Sequence, residues 1–212
     1  GKMEEYLPED TIITTSSGNT QAQCFQEYVF RKPGTYLTTG GFSTMGWAFP
    51  AAMGAKLAKP ETPVVALMGD GDFMMVMQEM ATMKKYNIPV IIMLVNNSCW
   101  MAIKDLQQGN LGEDHTFGND FVDGDGELYS PDFAKVAEDF GIYSQKISQT
   151  DEVEGAIKNA LDRKAPAFIE IDVYREYPES GGEAYGWWDV PIPQHMTELR
   201  KKHEEGLAEE TV

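Results

Sequence analysis

The sequence predicts an α/β chain: a doubly wound, mostly parallel sheet with helices on both faces. Three observations predict it. Strand-like and helix-like segments alternate along the chain. Two strand segments, Val64–Met68 and Val90–Val95, are continuous apolar runs, as strands covered on both faces must be. The first run leads into Gly69-Asp70-Gly71 and the second into Asn96-Asn97, with 24 residues between the motifs, room for one crossover helix.

The elements follow in order. Strands are expected near 11–15, 63–68, 89–95, 142–147 and 167–173, and helices near 20–31, 46–58, 73–86, 131–140 and 151–163. The first strand is β-branched and ends at Ser16-Ser17-Gly18-Asn19-Thr20, where Ser17 or Asn19 would N-cap the next helix. Phe73–Tyr86 reads as one helix. Gly109–Tyr129 is a long loop rich in Gly and Asp, a length at which loops are usually functional. Its His115 is a candidate for proton transfer or a solvated side chain. Asp120, Asp123 and Asp125 lie close together there, but the glutamate of an EF-hand loop is missing.

Residues 1–174 read as one domain, with Gly1-Lys2-Met3 as added residues before the native start. Residues 175–212 read as a tail that docks through Tyr185, Trp187 and Trp188, then forms a solvated helix carrying His195 and His203. The chain has 34 acidic against 17 basic residues, a net charge of −17, which argues against nucleic acid and against acidic membrane surfaces. No apolar run reaches the ~18 residues of a membrane span. Two cysteines, Cys24 and Cys99, fit a reducing cytoplasm, and neither has the partners of a nucleophile or a zinc site.

Parallel strands joined by one crossover end at the same edge, so Asp70 and Asn97 arrive together at the carboxyl edge, where such sheets bind ligands. A carboxylate and an amide oxygen suit Mg²⁺ or Ca²⁺ rather than zinc. Glycines flanking Asp70 let a diphosphate approach the backbone at a helix N-terminus, whose N–H groups favour anions. Asn19 and Thr20 add hydrogen-bond donors for phosphate oxygens.

Gly-Asp-Gly followed at this distance by Asn-Asn resembles the signature of the thiamine-diphosphate (ThDP) enzymes of the acetolactate synthase, pyruvate decarboxylase and sulfopyruvate decarboxylase type. The similarity runs from about Asp10 to Val173. A second segment, Gly41-Phe42-Ser43-Thr44-Met45-Gly46 through Pro50-Ala51-Ala52, is similar to that family's G-x-x-(T/S)-M-G-x-x-x-P-A-A. The resemblance implies a ThDP-binding fold with Mg²⁺ held by Asp70, the Asn97 side chain and the Cys99 carbonyl. It implies cofactor contacts from Gly18, Asn19, Thr20, Ser43, Thr44, Met45, Gly69, Gly71 and Asp72. Met45 would be the wedge that bends the cofactor into a V, with the Ser43 carbonyl accepting from its 4′-amino group; these two are the candidate catalytic positions. Trp100 and Met101 would line the substrate side, or simply pack a helix start.

The family also uses a glutamate on a separate pyrimidine-binding domain, and no acid here matches it. The resemblance therefore implies a second polypeptide carrying that domain, a hetero-oligomer, and a small carbonyl substrate. The reaction class implied is C–C cleavage or ligation: decarboxylase, carboligase or 2-hydroxyacyl-CoA lyase. Ser98 and Cys99 replace the glutamate and glutamine that follow Asn-Asn in acetolactate synthases, which leaves the substrate open. A non-catalytic subunit retaining the fold is the alternative. A dinucleotide-dependent oxidoreductase is disfavoured because no G-x-G-x-x-G follows the first strand.

Overall fold

The computed structural model describes residues 2–175 together with 196–198, 200, 201 and 205. Six strands frame the described residues: β1 (Ile12–Thr15), β2 (Tyr36–Thr38), β3 (Val64–Gly69), β4 (Ile91–Asn96), β5 (Tyr143–Ile147) and β6 (Ala167–Asp172). They form one sheet in the order β2-β1-β3-β4-β6-β5, and every neighbouring pair is parallel. The doubly wound parallel sheet read from the sequence is the architecture found.

Within residues 2–175 the α-helices are α1 (Lys2–Tyr6), α2 (Asn19–Glu27), α3 (Ala48–Ala58), α4 (Asp70–Met74), α5 (Met80–Lys85), α6 (Met101–Leu111), α7 (Phe133–Asp139) and α8 (Val153–Arg163). Side chains alternate along each strand, so the apolar runs feed two cores. Val64, Ala66, Met68, Ile92, Leu94 and Phe168 pack with Phe49, Met80, Met83 and Phe133 from α3, α5 and α7. Ile13, Val65, Leu67, Ile91, Met93 and Ile169 pack with Cys24, Ala156, Ile157 and Ala160 from α2 and α8. Met3 and Tyr6 of α1 pack against this second core.

Strand order reverses at β1. The chain leaves β1 for β2 on one side and β3 for β4 on the other, so the loops after β1 and β3 diverge and leave a crevice between them. That places residues 16–19 beside residues 69–72.

Three differences from the sequence reading have physical causes. Strand β2 was not expected: it has three residues and is too short to show periodicity. The helix expected over 73–86 is broken; α4 stops at Met74, a 3₁₀ turn covers Met77–Glu79, and α5 begins at Met80. The break sets Met75 and Val76 against Gly46. The helix expected over 20–31 ends at Glu27, where Tyr28 turns extended and joins Phe30 and Tyr36 in an aromatic cluster.

Tyr185, Trp187, Trp188, His195 and His203 lie outside the described residues. Between Thr197 and Glu205 the described positions are helical, with Lys201 and Glu205 one turn apart at 3.7 Å. Among the described residues no helix is long and apolar enough to cross a membrane.

Candidate functional site

Asp70 is the first residue after β3 and is 2 % exposed. Its Oδ1 accepts the Gly71 N–H at 2.7 Å, and its Oδ2 accepts the N–H groups of Asn97 at 3.0 Å and Cys99 at 3.3 Å. The carboxylate thus pins the loop after β4 to the turn after β3. Burial pushes its carboxyl above the usual range, against the pull of these donors.

The two asparagines separate by strand parity. Asn96 shares a face with Leu94 and turns towards β6, where its Nδ2 donates to Glu170 at 2.9 Å. Asn97 falls on the opposite parity, is half-buried, and its side-chain amide has no hydrogen-bond partner among the described residues. Ser98 follows with φ of 53°, a left-handed conformation that reverses the chain before Cys99.

The segment 39–48 folds over the same edge. Ser43, at φ 49°, is a second non-glycine residue in left-handed conformation, and its hydroxyl lies 3.3 Å from that of Thr39. Thr44 is exposed and Met45 half-buried. Gly46 has φ of 77°, which favours glycine, and a Cβ there would crowd Val76 Cγ1 at 3.0 Å. Its N–H donates to Asp72 Oδ1. Burial lifts the Asp72 carboxyl to about 6, although the Gly46 N–H and the Ser16 hydroxyl favour its charged form. Ser16 Oγ also accepts the Ala48 N–H at 2.8 Å, and Thr14 Oγ1 donates to the Ala48 carbonyl at 2.8 Å. The end of β1, the start of α3 and the turn after β3 are therefore one hydrogen-bonded unit.

Beside it, Gly18 is the N-cap of α2, and the helix start has no side-chain cap. Contrary to the sequence expectation, neither Ser17 nor Asn19 caps the helix; Asn19 Nδ2 donates instead to Asp105 Oδ2 of α6 at 2.6 Å, which ties the start of α2 to α6. Thr20 faces Gly69, its Oγ1 lying 3.6 Å from where a Cβ would stand. Gly71 serves a different need. A Cβ there would fall 2.0 Å from Trp100 Nε1, so this glycine makes room for the indole. Trp100 is half-exposed and meets Phe121 edge-on at 5.6 Å, whereas Met101 is buried.

The long loop is strapped to this site. Trp100 N–H donates to the Asn119 carbonyl at 3.0 Å, and Phe121 N–H to that of Ser98 at 2.9 Å. Asp120 takes Lys104 at 2.9 Å and Arg175 as ion partners; burial works against its charge, and these cations still hold its carboxyl below the usual range. Asp123 Oδ1 accepts the N–H groups of Asp125 and Glu127, closing a local turn. The three loop aspartates thus do not converge on a cation. His115 lies exposed in a 3₁₀ turn.

Among the described residues no three His, Cys, Asp or Glu side chains cluster to hold a metal. A cation at this edge would rest on one carboxylate, one amide and one carbonyl. Asp70, Asn97 and Cys99 present that all-oxygen set, which suits Mg²⁺. The Asn97 amide, without a hydrogen-bond partner among the described residues and next to the buried Asp70 carboxylate, fits this set to the ion. Ser16 and Glu170 escaped the sequence reading. Ser16 has a signal, its place at the end of the first strand; Glu170 shares strand parity with the core residue Phe168.

The chain matches the family model for the C-terminal TPP-binding domain of thiamine pyrophosphate enzymes over residues 16–171. It is 34 % identical over 170 residues to a probable acetolactate synthase large subunit of Methanococcus aeolicus, covering 79 % of this chain and 27 % of that protein. It is 30 % identical over 202 residues to the mitochondrial acetolactate synthase catalytic subunit of Saccharomyces cerevisiae, covering 92 % and 28 %. A 3D-(3,5/4)-trihydroxycyclohexane-1,2-dione hydrolase of Shouchella clausii is 31 % identical over 195 residues, covering 91 % and 30 %. The chain thus spans under a third of the length of these relatives. With its crevice, its Asp70 turn and its matched span, this chain belongs to the thiamine pyrophosphate enzymes, as a C-terminal TPP-binding domain.

Proposed function

We propose that this chain supplies the diphosphate-binding half of a ThDP- and Mg²⁺-dependent enzyme that cleaves or forms C–C bonds beside a carbonyl. The observation that carries the reading is the junction at the carboxyl edge of β3 and β4, where Asp70 accepts the N–H groups of Asn97 and Cys99 beside the β1/β3 crevice. Bound ThDP would supply an electron sink for negative charge developing on the carbon that was the substrate's carbonyl carbon.

The protein's own residues bind and orient. Asp70, the Asn97 amide oxygen and the Cys99 carbonyl would hold the cation. The start of α2, with Gly18, Asn19, Thr20 and Gly69, offers N–H donors and a positive dipole end to a diphosphate. Ser43 would present its carbonyl to the 4′-amino group, and Met45 would press from beneath, its position fixed through Gly46 and Asp72. Trp100, half-exposed and packed over Gly71, would border the crevice.

The second polypeptide with the pyrimidine domain completes this reading, and active sites would lie between unlike chains. The similarity to acetolactate synthases favours a 2-oxo acid as the carbonyl substrate. Purification of the chain from its native source tests it. Copurification of a pyrimidine-domain polypeptide, with 2-oxo acid turnover only when both chains and ThDP are present, is the expected result. Turnover without this chain would refute the reading.

A further inference from the structure

Glu170 is a fully buried carboxylate on β6 that the proposed binding groups do not include. It stands between Leu94 of β4 and Lys146 of β5 in the sheet register. Its Oε1 accepts from Asn96 Nδ2 and from Lys146 Nζ, each at 2.9 Å, and its Oε2 accepts the Ala134 N–H of α7 at 2.8 Å. A buried ion persists only with such a complement of donors. Partial burial opposes the charge on Lys146, yet Glu170 and Asp172 raise its ammonium above the usual range.

The network runs from Glu170 into the loop after β4. Asn96, fixed by its Nδ2, accepts the Ser98 N–H at 3.1 Å and the Ser130 hydroxyl at 3.2 Å on its Oδ1. The Ser98 and Ser130 hydroxyls lie 2.8 Å apart. Ser98 is the left-handed residue between Asn97 and Cys99, and such a conformation persists where surrounding contacts impose it. Among the described residues, a cleft of about 390 Å³ bordered by Asn97, Ser98, Ser130 and Lys146 runs along this side of the loop.

We propose that Glu170 is a positioning residue for the cation loop. Through Asn96 it fixes the backbone of Ser98, and so aims the Asn97 amide oxygen and the Cys99 carbonyl at the cation. The inference rests on the cation reading above and adds a carboxylate that never touches the ion. Only a carboxylate accepts on both oxygens; a glutamine would turn an N–H₂ group towards one of three donors.

The test uses the full chain with excess ThDP and Mn²⁺ as the probe, free Mn²⁺ being read by electron paramagnetic resonance. Amide hydrogen exchange is followed in parallel without metal. Glu170→Gln and Asn96→Ala should weaken Mn²⁺ binding about 10- to 100-fold, as loss of groups that orient a ligand does. They should also speed exchange at 97–99. Ile157→Val, in the core on the opposite face, controls for general destabilisation and should do neither. Unchanged Mn²⁺ affinity, with exchange at 97–99 matching that control, would overturn the proposal. Should Glu170→Gln fail to fold, Ser130→Ala decides: a several-fold weakening supports it and none overturns it. If the unmodified chain binds no Mn²⁺ even with its partner, the cation reading falls. The exchange rates at 97–99 then show separately whether Glu170 holds the loop.

Discussion

The Gly46 N–H donates to the carboxylate of Asp72, two residues beyond Asp70. One helical turn thus holds both the candidate cation ligand and the segment that carries Met45. Asp72→Ala removes the acceptor and strands buried donors from Gly46 and Ser16, which should cost about 1–3 kcal/mol in denaturant unfolding. Asp72→Asn keeps one oxygen and should cost less.

Gly71 and Trp100 are coupled by contact. Gly71→Ala places a methyl where the indole stands and should cost about 1–3 kcal/mol with a shift in tryptophan emission. Removing the indole first, in Trp100→Ala, should make the second change much cheaper. Additive costs in the double-mutant cycle would disprove the contact.

Both thiols are buried, and burial pushes Cys24 up to about 12 and Cys99 to about 11. At pH 8 about one Cys24 side chain in ten thousand is thiolate, the reactive form. Neither cysteine should react with a disulfide reagent in the native chain at that pH, and both should react in denaturant. Rapid native labelling would contradict the packing around α2 and the cation loop.

Met45→Ala should leave ThDP affinity in the assembled enzyme within a few-fold of the parent. It should slow exchange of the cofactor's C2 proton, by up to about a hundredfold if geometry alone is lost. Proton exchange followed by nuclear magnetic resonance reads this directly. An unchanged rate would remove Met45 from the wedge role.

What the sequence made legible was the strongly patterned part. The apolar runs of β3 and β4, with the turn motifs after them, specified parallel strands and the edge where Asp70 and Asn97 meet. Strand β2 stayed hidden because three residues next to a glycine pair carry no period. The break between α4 and α5 stayed hidden because the contact that goes with it, Val76 against Gly46, joins residues about 30 apart in the chain. Trp100 against Gly71 joins residues almost as far apart, and no local propensity encodes it. Glu170 was visible only as a charged residue at a core-facing strand position. Its partners come from β4, β5 and α7, which only the fold brings together.

The decisive measurement is calorimetric titration of ThDP into this chain and into its native complex, with Mg²⁺ and then with a chelator. Binding should saturate in Mg²⁺ and be abolished by the chelator, and Asp70→Ala and Asn97→Ala should each reduce it at least about tenfold. Equal binding with and without Mg²⁺, or full affinity in both variants, would contradict the cation reading.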